Sequence, residues 1–109
     1  MPQNVPEKFD SVSVVTKANV YFGGKVVSHT ILLAGGVKKT LGLIYPGEYT
    51  FNTGVPERMD VTAGACRVRQ KGQKDWTPYA AGTFFLVPGQ SSFEIAVDDG
   101  VAEYVCSYE

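Results

Sequence analysis

Histidine and cysteine are nearly missing from this 109-residue chain, which has one histidine, His29, and two cysteines, Cys66 and Cys106. A zinc site of four Cys and His ligands within one chain is therefore excluded, because only three such side chains exist. A framework of several disulfides is excluded too, since small stapled scaffolds carry four or more cysteines. Long apolar runs are absent, and nothing approaches the roughly 18 apolar residues of a membrane-spanning helix. The first residues, Met1-Pro2-Gln3-Asn4-Val5-Pro6, lack the apolar core of a secretory leader. Two cysteines without such a leader suit a reducing cytosol, so the expected location is cytoplasmic. Net charge is only −1, which gives no global pull toward nucleic acid or a membrane.

The remaining composition is that of one soluble globular domain, 44% apolar and 19% charged. Its charges are segregated. Between Asp10 and Glu48 the only charges are Lys17, Lys25, Lys38 and Lys39; residues 67–74 carry Arg67, Arg69, Lys71 and Lys74 and no acid. From Glu94 to Glu109 there are five acids and no base. These stretches read either as solvated strand faces or as a local basic face for an anionic small ligand. The acidic C-terminal stretch argues against a track for single-stranded nucleic acid.

Residues 1–10 are polar and contain Pro2 and Pro6, which predicts an N-terminal tail; the predicted extension is 1–17 and the predicted domain 18–109. From about Val12 onward the pattern is short and β-like. Leu41, Leu43 and Tyr45 share one face of a predicted strand. Pro46-Gly47 is a turn signal, because Pro presets φ and Gly tolerates positive φ. Tyr49, Phe51 and Thr53 then share a face. Further strands are predicted at 59–63, 66–71, 83–87, 92–97 and 101–108. Gly64, Gly72, Gly82, Pro88-Gly89 and Asp98-Asp99-Gly100 separate them. Breakers every 8–12 residues, with no convincing helical period, predict an all-β sandwich or small barrel.

The spacing Glu57-x6-Gly64, preceded by Gly47, is similar to the tail of the first cupin motif; Gly82, five residues and Pro88 resemble the start of the second. The expected fold is a single-domain, jelly-roll-like cupin barrel. The motif histidines are replaced, however. The His-x-His pair falls on Phe51 and Thr53, and the second-motif histidine falls near Phe93. Phenyl rings cannot coordinate a metal, and one retained Glu57 cannot hold a divalent ion against water. The expectation is a site with no metal and no cofactor.

A more specific likeness spans about residues 18–108. Tyr21-Phe22-Gly23-Gly24-Lys25-Val26, Pro46-Gly47-Glu48-Tyr49-Thr50-Phe51-Asn52-Thr53 and Pro56-Glu57-Arg58-Met59 come in order. Trp76, Tyr79, Gly82 and Phe84, Val87-Pro88-Gly89-Gln90-Ser91-Ser92-Phe93 and Tyr104-Val105-Cys106-Ser107-Tyr108 follow. In this the chain resembles the pyrimidine/purine nucleoside phosphorylases, small single-domain cupins. The resemblance implies a homodimer that cleaves many ribonucleosides with inorganic phosphate, giving free base and ribose 1-phosphate. The runner-up is a non-catalytic, metal-free cupin that binds a small sugar or nucleotide.

Under this likeness Glu57 is the candidate catalytic carboxylate, or else a surface or helix-cap carboxylate after Pro56. Tyr49, Phe51 and Phe93 are candidates to line the pocket, or else ordinary core. Thr53 would bond a ribose or phosphate oxygen, or pair locally in its strand. Gln90 would meet a base edge, or serve only its turn. Tyr104 would pack in the wall or turn its hydroxyl inward. Phosphate would be held by cations among Lys25, Lys38, Arg67 and Arg69, Lys39 being a neighbour of the same kind. Cys66 and Cys106 read as buried structural thiols, and His29 as a strand residue near the surface.

Overall fold

The computed structural model describes residues 5–109; the first four residues of the expected tail lie outside it. Eleven strands follow one another: β1 (Ser13–Val14), β2 (Asn19–Tyr21), β3 (Val26–Leu32), β4 (Lys38–Ile44), β5 (Gly47–Asn52) and β6 (Glu57–Ala63). Then come β7 (Ala65–Gln70), β8 (Thr77–Ala80), β9 (Phe84–Val87), β10 (Ser92–Val97) and β11 (Ala102–Tyr108). They form a seven-stranded sheet in the order β1-β3-β4-β11-β6-β9, with β2 also on β3, and a four-stranded sheet β5-β10-β7-β8. Every pairing is antiparallel. The fold is all-β and cupin-type, as the breaker spacing predicts, although the sheets are not closed into a full barrel.

The breakers mark where the chain changes sheets. Pro46-Gly47 carries it from β4 in the large sheet to β5 in the small one, Gly64 from β6 to β7, Pro88–Ser91 from β9 to β10, and Asp98-Asp99-Gly100 from β10 to β11. Alternation then sorts the side chains. On β10, Phe93, Ile95 and Val97 are buried between the sheets, while Glu94 faces outward beside Arg69. On β11, Ala102 and Cys106 are buried and Tyr104 packs on the core. Across the seam, Val68, Phe85 and Val87 complete an apolar filling.

Two details depart from the pattern. The strand β8 is not foreseen, because Thr77-Pro78-Tyr79-Ala80 lacks apolar alternation; it forms at the sheet edge, the one place where a proline costs no ladder bond. And β1, inside the segment predicted as an extension, pairs with β3 through Ser13–Leu32 and Val14–Ile31. Residues 5–14 run beside the outward face of the large sheet, bounding with Leu41, Leu43 and Val105 a groove of about 780 Å³.

Gly64 shows why the crossing needs glycine. Its φ is +72°, and a Cβ there would run into the carbonyl oxygen of Val101. It sits beside the irregularity at Glu103/Tyr104, where the β6–β11 register shifts. Gly64→Ala is expected to lower stability by about 1–3 kcal/mol, from backbone strain plus the clash. An unchanged urea midpoint would show that the crossing is not constrained in this way.

Candidate active site

The inward faces of the two sheets do not fill the space between them everywhere. Ser28 on β3 and Thr40 and Gly42 on β4 are small, and they all turn inward. The room above Gly42 is taken by the ring of Tyr104, which a Cβ at that position would strike. Beside it a pocket of about 170 Å³ remains, bounded by Tyr21, Phe51, Glu57, Phe93, Tyr104 and Tyr108 among others.

One wall is aromatic. Phe51 and Phe93 stand opposite each other on β5 and β10, with ring centroids 5.7 Å apart and planes 25° apart. Tyr21 meets Phe51 edge-on at 5.8 Å, and Phe22 does so at 5.4 Å. The facing wall is polar, mainly hydroxyl and thiol. Asn19 Nδ2 donates to Ser28 Oγ at 3.1 Å and to Thr30 Oγ1 at 3.2 Å. Ser28 in turn acts on the Tyr104 hydroxyl. Thr40 Oγ1 and the Tyr108 hydroxyl are 3.3 Å apart. The one carboxyl is Glu57, half-buried as the first residue of β6, and Cys106 Sγ donates to its Oε1 at 3.5 Å.

Burial raises the Glu57 carboxyl above the usual carboxylate range; the Cys106 hydrogen bond and the Lys38 ammonium pull the other way. Lys38 lies over the Tyr108 ring, 4.5 Å from its centroid. Burial also pushes the Cys106 thiol up to about 12, helped by the neighbouring Glu57 charge. The Tyr104 and Tyr108 phenols are raised mainly by burial, and so stay protonated.

Of the residues singled out from sequence, the fold brings Phe51, Glu57, Phe93 and Tyr104 into one pocket, with Lys38 near enough to act on the Glu57 carboxyl. It does not bring the others. The Tyr49 hydroxyl donates to Tyr45 O at 2.7 Å and Pro46 O at 2.9 Å, closing the first sheet crossing. Thr53 Oγ1 donates to Pro88 O at 2.6 Å and accepts from Ser91 N–H at 3.0 Å, tying two turns together. Gln90 sits exposed in that turn at φ +51°. Lys25 is exposed where a short turn enters β3. Arg67 and Arg69 lie on the outward face of the small sheet, paired with Asp98 and Glu94 and flanking Trp76. His29 is exposed on β3, its Nδ1 3.3 Å from Val15 O. Both cysteines are free and buried, Cys66 away from the pocket and Cys106 in its wall.

Sequence reasoning missed Tyr21, Ser28, Thr40 and Tyr108. A usable signal was present: small hydroxyl residues and Gly42 at the inward positions of otherwise apolar strands. Among the described residues no three His, Cys, Asp or Glu side chains stand together as a metal-holding group.

Fold and pocket thus define a cupin-type protein whose site is built from aromatic rings, hydroxyls and one carboxyl. The likeness to the EutQ protein of Clostridium difficile agrees with the fold, with a TM-score of 0.64 at 14% identity over 76% of this chain and 67% of that one. The pyrimidine/purine nucleoside phosphorylase family matches residues 16–108. A pyrimidine/purine nucleoside phosphorylase of Aromatoleum aromaticum is 57% identical over 105 residues, 96% of this chain and 98% of the relative. A crystal structure of a protein of unknown function from Acinetobacter superposes with a TM-score of 0.91 at 47% identity, covering 94% of this chain and 98% of the other. The chain belongs to the pyrimidine/purine nucleoside phosphorylase family.

The Thr53 clamp separates structure from site. Thr53→Val keeps the shape but leaves Pro88 O and Ser91 N–H without their partner. It is expected to cost about 1–3 kcal/mol of stability. A wild-type urea midpoint would show that the clamp is dispensable.

Proposed function

We propose that this pocket cleaves purine and pyrimidine ribonucleosides with inorganic phosphate, giving free base and ribose 1-phosphate. The observation that carries this reading is the aromatic wall of Phe51 and Phe93 facing the Glu57 carboxyl across one small cavity, with the Lys38 ammonium beside it. A phenyl face accepts a base of either class, since every base has a π-face. The hydroxyls of Ser28, Thr40, Tyr104 and Tyr108 either donate or accept, so they impose no fixed pattern on the base edge. Glu57 holds a ribose hydroxyl and stabilises positive charge developing at the anomeric carbon, by analogy with glycoside hydrolysis. Lys38 holds phosphate as a point charge. A phosphate oxygen bonds to the anomeric carbon as the carbon–nitrogen bond breaks. The bonding pair leaves with the base nitrogen, which takes the proton that hydrogen phosphate gives up. This chemistry needs no cofactor beyond phosphate as co-substrate.

The protein mixed with uridine or adenosine is expected to release free base only when phosphate is present. Release without phosphate would make it a hydrolase, and no release would leave a binding protein. Glu57→Gln is expected to fold normally and to lose at least about tenfold in kcat/KM. Lys38→Ala should raise KM for phosphate most. The carboxylate is the working form, and burial raises its pKa. Activity should therefore fall, as pH drops, at a higher pH than an ordinary glutamate near 4.5 would give. A cytoplasmic homodimer is part of the same proposal. Light scattering should give twice the mass of the chain, and the native protein should fractionate with the cytosol; a monomer, or a membrane-bound or exported protein, would count against it.

A further inference from the structure

Among the described residues Glu57 is the only carboxyl bounding the pocket, and one of its oxygens is already engaged. Tyr108 pairs with Glu57 across the β6–β11 ladder, and Cys106 pairs with Met59 one inward step further on. The thiol thus lies beside the carboxyl and donates to Oε1 at 3.5 Å. Tyr108 and Thr40 also act on the thiol, and their hydroxyls are 3.3 Å apart. The four side chains form one connected group on three adjacent strands, β4, β11 and β6.

We propose that Cys106 is a positioning residue. Its thiol fixes one oxygen of Glu57 against β11 and leaves the other free to face a ligand in the pocket. This rests on the reading of Glu57 as the working carboxylate. The other groups acting on Glu57 are few. Cys106 of β11 and Lys38 of β4 act on it directly, the Tyr104 and Tyr108 phenols of β11 feel its charge, and Thr40 of β4 stands beside Tyr108. The strand β9 presents Val87 beside it and β10 presents Phe93, neither of which carries a charge. Tyr21 of β2 and Asn52 of β5 bound the same pocket. A thiol S–H donor favours the ionised carboxylate. Removing it should make Glu57 harder to ionise, and a hydroxyl in its place should restore the effect. Cys66, buried in the small sheet with only burial acting on it, is the internal control.

The test titrates the full-length protein with carboxyl-13C glutamate, the Glu57 resonance being identified by its loss in Glu57→Gln. Cys106→Ala is expected to move the Glu57 midpoint upward by about half a pH unit or more. Cys106→Ser should return it to the wild-type value or below, and Cys66→Ser should leave it in place. An unmoved midpoint in Cys106→Ala, or the same movement in Cys66→Ser, would overturn the inference. In the phosphorolysis assay the acid limb of kcat should follow the midpoint, with kcat lowered several-fold in Cys106→Ala and recovered in Cys106→Ser. The titration is independent of turnover. A shifted midpoint without base release in any form would reject the reaction and leave the positioning role standing.

Discussion

The gap between two facing sheets decides most of what this molecule is. Sheets pack about 10 Å apart, and side chains from both must fill the space between. Along most of the seam they do, with Val68, Ile95, Phe85 and Val87 meeting across it. Where β3 and β4 turn Ser28, Thr40 and Gly42 inward, the large sheet supplies too little volume, and even the Tyr104 ring laid over Gly42 does not close the gap. A hole in a core costs stability through lost contacts, and more if polar groups are stranded in it. Here none is stranded: among the described residues no buried side-chain nitrogen or oxygen lacks a partner. The polar wall is a completed network with a space beside it.

That network also sets the electrostatics. Most basic side chains that might compete for an anion are compensated or face elsewhere. The Arg67 and Arg69 guanidiniums are held by Asp98 and Glu94 on the outer face of the small sheet. Lys39 donates to Ser107 Oγ at 2.6 Å on the outer face of the large one. Lys38, one residue earlier on β4, points the other way and acts on Glu57. The period of two along a strand therefore gives two adjacent lysines different work.

The architecture was legible because it depends on punctuation. Pro46-Gly47, Gly64, Pro88-Gly89 and Asp98-Asp99-Gly100 mark four of the crossings between sheets, and alternation between them assigns each side chain to a face. The edge strand β8 was hidden, since an edge needs neither apolar alternation nor freedom from proline. Four of the candidate residues that line the pocket, Phe51, Glu57, Phe93 and Tyr104, were visible through the resemblance. The candidates that the fold places elsewhere share one cause. Tyr49 and Thr53 lie on the same face as Phe51, but alternation reports direction and not which polar atom a side chain will find. The turns at each end of β5 capture both hydroxyls. Arg67 and Arg69 read as available cations because their acid partners are 31 and 25 residues away in sequence. Ser28, Thr40 and Tyr108 were missed because small hydroxyl residues at inward strand positions signal only missing volume; the facing sheet decides whether that space becomes a pocket wall.

The division of labour in the pocket follows from what each kind of group can discriminate. Sites that hold a ligand with fixed donors and acceptors reject the wrong ligand strongly, because a buried unpaired group is costly. Guanidinium and amide groups are fixed in that sense, while hydroxyls rotate to suit their partner. Behind the hydroxyl wall, the Asn19 amide is spent on Ser28 and Thr30. Beside the aromatic rings the pocket presents mainly hydroxyls and Glu57. Under the proposed function, a ring system of either hydrogen-bonding pattern would meet the same flat phenyl face and the same adaptable wall. Under the proposed phosphorolysis, the group that cannot adapt is the carboxyl, and its place is where all such substrates are alike, at the sugar.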